Sequence, residues 1–136
     1  MATLLASKAG RSPEATPLSV VQTGNGVSTN IADIGPSHKN PIVQIVTALG
    51  ATPTCTYLIE VSADGVTWVN ATYADISTPN TDVTTTFVIT TAVAAQKIIK
   101  QPTAWRFIRV TYSLNTNITN TTHLLYDDTQ NPPWSF

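Results

Sequence analysis

The feature that most constrains the fold is the run Tyr57-Leu-Ile-Glu-Val-Ser62-Ala-Asp64-Gly65-Val-Thr67-Trp68-Val69, two strand-like segments that meet at Asp-Gly. Asp-Gly between alternating apolar residues is a strong signal for a two-residue β-hairpin, because a type I′ turn needs positive φ at both central residues. Cys55, Tyr57, Ile59 and Val61 then point to one side of the first strand, and Thr56, Leu58, Glu60 and Ser62 to the other. This is a signature of scaffold and carries no catalysis.

The rest of the chain agrees with a β-rich scaffold. From Leu18 onward Thr, Val and Ile dominate, residues that suit a pleated half-buried surface and lose rotamer freedom in helices. The sequence predicts an all-β protein, an antiparallel sandwich of about eight strands. Leu18 to Thr23 and Val27 to Ile34 form a hairpin candidate through Gly24-Asn25-Gly26. Pro41 to Leu49 is an apolar strand closed by Gly50 and Pro53. The Asp-Gly hairpin follows, with Val66 to Asn70 as its return strand. Ile76 to Thr81 reads as a loop, Val83 to Thr91 as a Thr-rich strand, Ala92 to Ala95 as a helical turn or bulged connection, and Lys97 to Lys100 as a short edge piece. Ala104 to Leu114 and Ile118 to Tyr126 are strands joined by a turn at Asn115-Thr116-Asn117.

At 136 residues the chain suits a single domain with a sizeable core. That domain spans residues 18–126, between an extended N-terminal arm, 1–17, and a tail, 127–136. Neither end has a sustained hydrophobic period, yet Trp134 and Phe136 are large aromatics that expose costly apolar surface unless something covers them. The ends therefore read as contact segments, with Leu4, Leu5 and Arg11 in the arm and Trp134 and Phe136 in the tail as partner-binding residues. Only 11% of residues are charged and the net charge is −1, so no global field draws the chain to nucleic acid or to an anionic membrane. No apolar run is long enough for a transmembrane helix, and Met1 to Arg11 lacks the form of a secretory signal, which implies synthesis in the cytoplasm.

Chemistry is sparse. The single Cys55 allows no internal disulfide or Cys-based zinc cage and reads as a small buried hydrophobe. The histidines, His38 and His123, are not placed beside any nucleophile elbow, and His123 reads as structural. Glu14 and Glu60 form no evident acid/base pair. Asp127-Asp128 with Thr129 and Asn131 offers oxygen ligands without calcium-loop spacing, and Gly24-Asn25-Gly26 has no following helix to cradle a phosphate. The sequons at Asn70, Asn117 and Asn120 are expected by chance in so Thr- and Asn-rich a chain. Lys97, Lys100, Arg106 and Arg109 cluster in sequence. Arg106 and Arg109 fall on opposite faces of a regular strand, so salt bridges to carboxylates such as Glu60 are expected in place of a nucleic-acid patch. No enzyme activity and no cofactor is expected.

Ser62-Ala-Asp64-Gly65-Val-Thr67-Trp68, followed by Trp105-Arg106-Phe-Ile-Arg109-Val-Thr-Tyr112, resembles the hairpin and Arg-aromatic-apolar-Arg strand of discoidin-like jelly-roll domains. The chain also resembles small β-sandwich virion proteins of tailed bacteriophages. The lone cysteine departs from the closing disulfide of secreted discoidin domains and favours the second likeness. That resemblance implies a jelly-roll-like sandwich in which Asp64, Gly65, Trp68, Arg106 and Arg109 are structural. It further implies a virion protein, a capsid decoration (cement) protein that binds the major capsid protein or other virion subunits as a homo-oligomer, a trimer. The alternative is a receptor- or carbohydrate-binding module, which requires exposed aromatic platforms; Tyr73 and Trp68 are the candidates. Ile59, Val61, Trp68, Ile108, Val110 and Tyr112 are expected in or beside the core, which sets the expected cost of Trp68→Ala at about 3 to 5 kcal/mol. Far-ultraviolet circular dichroism should show a β spectrum; a dominant helical signal would contradict the reading.

Overall fold

A computed structural model describes residues 14–33, 41–100 and 105–126. The elements are β1 (Glu14–Gln22), β2 (Gly26–Val27), β3 (Ala32–Asp33), β4 (Ile42–Ser62), β5 (Val69–Asn70), β6 (Thr72–Asp75), β7 (Phe87–Ile89), β8 (Ala94–Lys100) and β9 (Phe107–Tyr126). There is no helix among the described residues. All nine strands belong to one hydrogen-bonded antiparallel sheet in the order β1-β9-β4-β8-β6. The all-β antiparallel expectation holds, in one continuous sheet.

Two strands carry the architecture. β4 is 21 residues long and β9 is 20, and they pair from Ser62↔Phe107 to Ile42↔Leu125. On the outer side of β9, β3, β2 and β1 follow one another end to end. On the outer side of β4 lie β8, β7 and β5. Alternation decides which face is buried: Val43, Ile45, Cys55, Tyr57, Ile59 and Val61 of β4 all point inward, as do Ile108, Val110, Tyr112, Ile118 and Leu124 of β9.

The sheet bends on itself. Tyr57 pairs across the sheet with Tyr112, whereas Asn120 pairs with Thr47, ten residues away from Tyr57 along β4. In a flat sheet that separation is about 33 Å. Instead the Tyr57 hydroxyl donates to Asn120 Oδ1 at 2.6 Å, and the Tyr112 hydroxyl lies 2.5 Å from Thr122 Oγ1 and donates to Ser19 Oγ at 3.2 Å. The two halves of the long strands therefore face each other across the core. An aromatic row spans it: Phe87 stacks on Tyr57 with ring centroids 5.0 Å apart, while Tyr112 and Tyr73 meet Tyr57 and Phe87 edge-on at 5.6 Å.

The bend itself is built from the residues that the sequence marks as strand ends. Gly50 to Pro53 loops out of β4 opposite Asn117, and β9 carries an extra residue near Leu114–Asn115. Thr52, Leu114 and Asn117 are left-handed, with φ of 49°, 52° and 56°. Asn115 holds the corner: its side chain donates to Ile118 O and Thr23 O and accepts from Ile118 N, and its backbone N–H donates to Asn25 Oδ1. Turn-forming residues thus produce bulges within continuous strands, because pairing resumes on the far side. β1 has its own bulge, with Val20 and Val21 opposite Thr121 alone and Val21 at φ 58°.

Several sequence expectations change accordingly. Leu18–Thr23 and Val27–Ile34 are not a hairpin, since β1 and β2 both pair with β9. Asn115-Thr116-Asn117 is not a reversal, and Gly50 with Pro53 does not end the strand. β8 is an interior strand between β4 and β6, not an edge, and it starts at Ala94, within the stretch where the sequence allows a helical turn. Val83–Thr91 supplies only the three residues of β7 and a bridge from Val83 to Tyr73. β1 begins at Glu14, inside the stretch assigned to the arm. Trp68 lies outside the core, and Trp105 is the tryptophan packed against it. The remaining arm residues, 1–13, and the tail, 127–136, fall outside the described residues, and with them Leu4, Leu5, Arg11, Trp134, Phe136 and the Asp127-Asp128 pair.

Two substitutions test the corner by equilibrium denaturation. Left-handed backbone costs a β-branched residue roughly 1–2 kcal/mol, and Val21 buries little in return at 66% exposure, so Val21→Gly is expected to stabilise by about 0.5–1 kcal/mol. A Cβ at Gly50 would sit 3.0 Å from Asn117 Cβ and 3.2 Å from its carbonyl oxygen, so Gly50→Val should destabilise by about 1–3 kcal/mol.

Candidate functional site

The Ser62–Trp68 loop, which opened the sequence argument, is a rigid capped turn. Ser62 Oγ accepts from Asp64 N and Gly65 N and donates to Asp64 Oδ1. The same carboxylate oxygen accepts from Val66 N and Thr67 N at 2.8 Å. These N–H groups, Thr67 first, hold the Asp64 carboxyl below its usual range. Gly65 is left-handed at φ 79° but Asp64 is not among the positive-φ residues, so the turn is not type I′ and β5 starts only at Val69. Asp64 and Gly65 thus shape this turn.

The loop delivers Trp68 to the outer face of the sheet. Its ring lies under the Arg109 guanidinium, 4.2 Å from Arg109 Cζ. Arg109 Nε donates to Glu60 Oε1 at 3.1 Å, and the same oxygen accepts from Thr111 Oγ1 at 2.7 Å. The Arg109 and Glu60 side chains are only 21% and 15% exposed, so Trp68 acts as a lid over a nearly desolvated ion pair. The expected cost of Trp68→Ala falls to about 1–2 kcal/mol, the range of a cation–π contact on a sheet surface.

Each cation of the sequence cluster has a partner within the chain. Lys97 meets Asp75 at 2.9 Å, Lys100 meets Asp82 at 2.9 Å, Arg106 meets Asp33 at 2.8 Å, and Arg109 meets Glu60. Lys100 also reaches Pro79 O, which ties down the Ile76–Asp82 loop, and Lys97 sits over the Phe87 ring at 4.6 Å. The expected pairing of Arg109 with Glu60 is present. The cluster is a set of separate struts, spread over both sides of the sheet.

The candidate reactive groups are scattered. Cys55 is fully buried, and burial pushes its thiol up, away from reactivity. Tyr73 is buried with its hydroxyl on Thr85 O at 2.7 Å, and burial raises it to about 12. It cannot present a sugar-stacking face. Asn120 is fully buried against Tyr57, which rules out that sequon. His123 is half-buried on β9, and His38 lies outside the described residues. No group of three or more His, Cys, Asp or Glu side chains converges among the described residues.

What the surface does offer is the corner of the bend. A cavity of about 480 Å³ opens there, lined by Thr23, Ala48, Leu49, Gly50, Asn117, Ile118 and Thr119. Ala48 and Thr119 are paired neighbours in the register, while Leu49 and Ile118 connect the cavity floor to the core. Leu114 and Val21 are 74% and 66% exposed, both left-handed. The site is not legible in the sequence, because it arises where Gly50 meets Asn117, 67 residues further along the chain.

No family model and no curated protein matches the sequence. Among solved structures, the chain is similar to the SPBc2 prophage-derived protein YomS, known from a crystal structure. The TM-score is 0.61 at 4% identity, covering 92% of this chain and 100% of that one. The two chains share a fold. The match takes in the whole of YomS.

The ion pairs give a pH-dependent expectation. Ser77 through its hydroxyl and N–H, then Lys97, hold Asp75 at about 2 against an ordinary 3.8. A carboxyl depressed on folding stabilises above its unfolded value and loses that contribution as pH falls through the folded one. The melting temperature of the parent should therefore fall more steeply between about pH 4 and pH 2 than that of Asp75→Asn; parallel curves would show that the pair contributes nothing.

Proposed function

We infer that this chain is a structural protein of a bacteriophage virion, of the capsid decoration or cement type, and that it has no enzymatic activity. The observation that carries the reading is the shared fold with a prophage-derived protein along the full length of that protein. Internal chemistry supports it. A subunit that must stay folded on a particle surface gains from charges consumed in intramolecular struts, and the described cations of the basic cluster are all engaged that way. In this reading the partners are the major capsid protein and further copies of the chain, with a trimer on local threefold positions as the assembly. Leu4, Leu5 and Arg11 at one end, and Trp134 and Phe136 at the other, make the contacts; buried aromatics dominate such interfaces. Neither nucleic acid nor membrane is a partner, and the chain is made in the host cytoplasm before joining the virion.

The carbohydrate-binding alternative is the weaker one. Of its two aromatic platforms, Tyr73 is buried and Trp68 has one face committed to Arg109. Mass spectrometry of purified particles tests the proposal: the chain should be present in fixed ratio to the major shell protein. Its absence from intact particles, with the chain abundant in the lysate, would overturn it.

A further inference from the structure

We propose that the uncharged outer face of the sheet around residues 42–48 of β4 docks a second copy of this chain, face on face. The inference goes beyond the proposed function: it assigns a pairing surface on the described strands, and it holds whether or not the chain belongs to a virion.

Register defines the face. Val43, Ile45 and Thr47 are buried, so Ile42, Gln44, Val46 and Ala48 of β4 point outward. Their partners on β9 are Leu125, His123, Thr121 and Thr119. On β8, Ile98, Gln96 and Ala94 pair with Ile42, Gln44 and Val46. Beyond β9, Pro17 of β1 lies opposite His123, and the exposed Val20 and Val21 lie opposite Thr121. None of these positions holds Asp, Glu, Lys or Arg. The other half of the sheet differs, since its outer face carries the Glu60–Arg109 pair under Trp68. Four strands about 4.8 Å apart, each with seven residues at about 3.3 Å, make the uncharged face roughly 19 by 23 Å.

Charge and symmetry select the occupant. Two copies that meet through the same face turn about a two-fold axis, which sets each central residue against its own counterpart, so a charge there would meet its like. An uncharged face is free of that penalty. Along the strands the face reads apolar, amide, apolar: Val46 with Ala94, then Gln44 with Gln96, then Ile42 with Ile98. An axis along the amide row lays Val46 on Ile42 of the second copy and Gln44 on its own counterpart, and a glutamine amide has both the donor and the acceptor to bond its like. The two sheets then pack aligned and about 10 Å apart, as the layers of a sandwich do. Each copy offers about 440 Å² in plan, so the pair covers roughly 900 Å², the low end for a specific contact, and association is weak and concentration-dependent. Nucleic acid would require cations on this face and a sugar an exposed aromatic ring, and the face has neither. The pair closes on itself, so on a shell it would link two threefold assemblies across a two-fold position without competing with contacts made by the chain ends.

Sedimentation equilibrium of the full chain tests this. The mass of the parent should double as concentration rises. Gln44→Glu and Gln44→Lys each set like charges against each other at the centre of the contact, so either variant alone should lose about 10-fold or more in association, with an unchanged melting temperature at this half-exposed position. An equimolar mixture of the two should recover the doubling, because opposite charges then meet. Thr121→Glu and Thr121→Lys, on the neighbouring strand, repeat the comparison if either change at Gln44 impairs folding. Val88→Glu, exposed on β7 and paired with Thr56 of the other half, should leave the doubling intact. A parent of constant mass up to the highest soluble concentration would overturn the proposal. If Gln44→Glu then weakened binding to purified shells, the face would belong to a shell protein; if it lowered the melting temperature, the face would be covered by another segment of its own chain. Doubling that survives the changes at Gln44 and Thr121, or a mixture that fails to recover it, would also overturn the proposal. A chain present in particles that never doubles would refute this inference alone, whereas a doubling chain absent from particles would refute the virion reading alone.

Discussion

The buried contacts of Tyr57 and Tyr112 with the opposite end of the sheet are the constraint on which the rest of the structure depends. β4 and β9 together form a two-stranded ribbon far longer than an average strand, with one apolar face. Such a ribbon has nowhere to hide that face except against itself. Folding it over buries the apolar rows, but it also carries Asn120, Thr122 and Ser19 into the interior, where unpaired polar groups are expensive. The two tyrosine hydroxyls meet these groups, which makes the fold-over specific: only one register of one half on the other satisfies them all. Burial pushes both tyrosines up, which favours the protonated, donating form of these hydroxyls.

The corner follows from that closure. Two strands that pair on both sides of a sharp bend must lose pairing within it, and the lost length appears as bulges with left-handed residues. The same geometry leaves a cavity at the bend. With the basic cluster consumed in struts, the features of the described surface open to recognition are apolar and amide-rich rather than charged. This is the physical link between a charge-poor sequence and a protein proposed to work by assembly.

Much of the sheet was legible in the sequence because period-two alternation survives folding: Tyr57, Ile59, Val61, Ile108, Val110 and Tyr112 all lie in the core as the pattern requires. The Arg109–Glu60 pair was legible too, since odd and even positions on paired strands decide which side chains meet. Turn chemistry misled. Asn, Gly and Pro signal that a regular ladder is interrupted, and the chain can answer with either a reversal or a bulge; at Gly50–Pro53 and Asn115–Asn117 it bulges, because strongly apolar segments on both sides of each break share one buried face. The Asp64 loop likewise spends its carboxylate on backbone N–H groups, which lengthens the turn and swings Trp68 out over Arg109. The candidate site was invisible for the same reason, as it is made where two such breaks coincide.

The claim that these buried hydrogen bonds fold one sheet onto itself is tested most directly by a double-mutant cycle on Tyr57 and Asn120, with Tyr57→Phe, Asn120→Ala and the pair compared by equilibrium denaturation. The two residues are joined by one bond and lie on opposite halves of the sheet, so the cycle isolates the closure itself. The account predicts that each single change costs about 1–3 kcal/mol and that the two are coupled by about 1 kcal/mol or more. Strictly additive effects, in variants that still unfold in one cooperative step, would show that the halves do not meet there and would contradict the bent sheet.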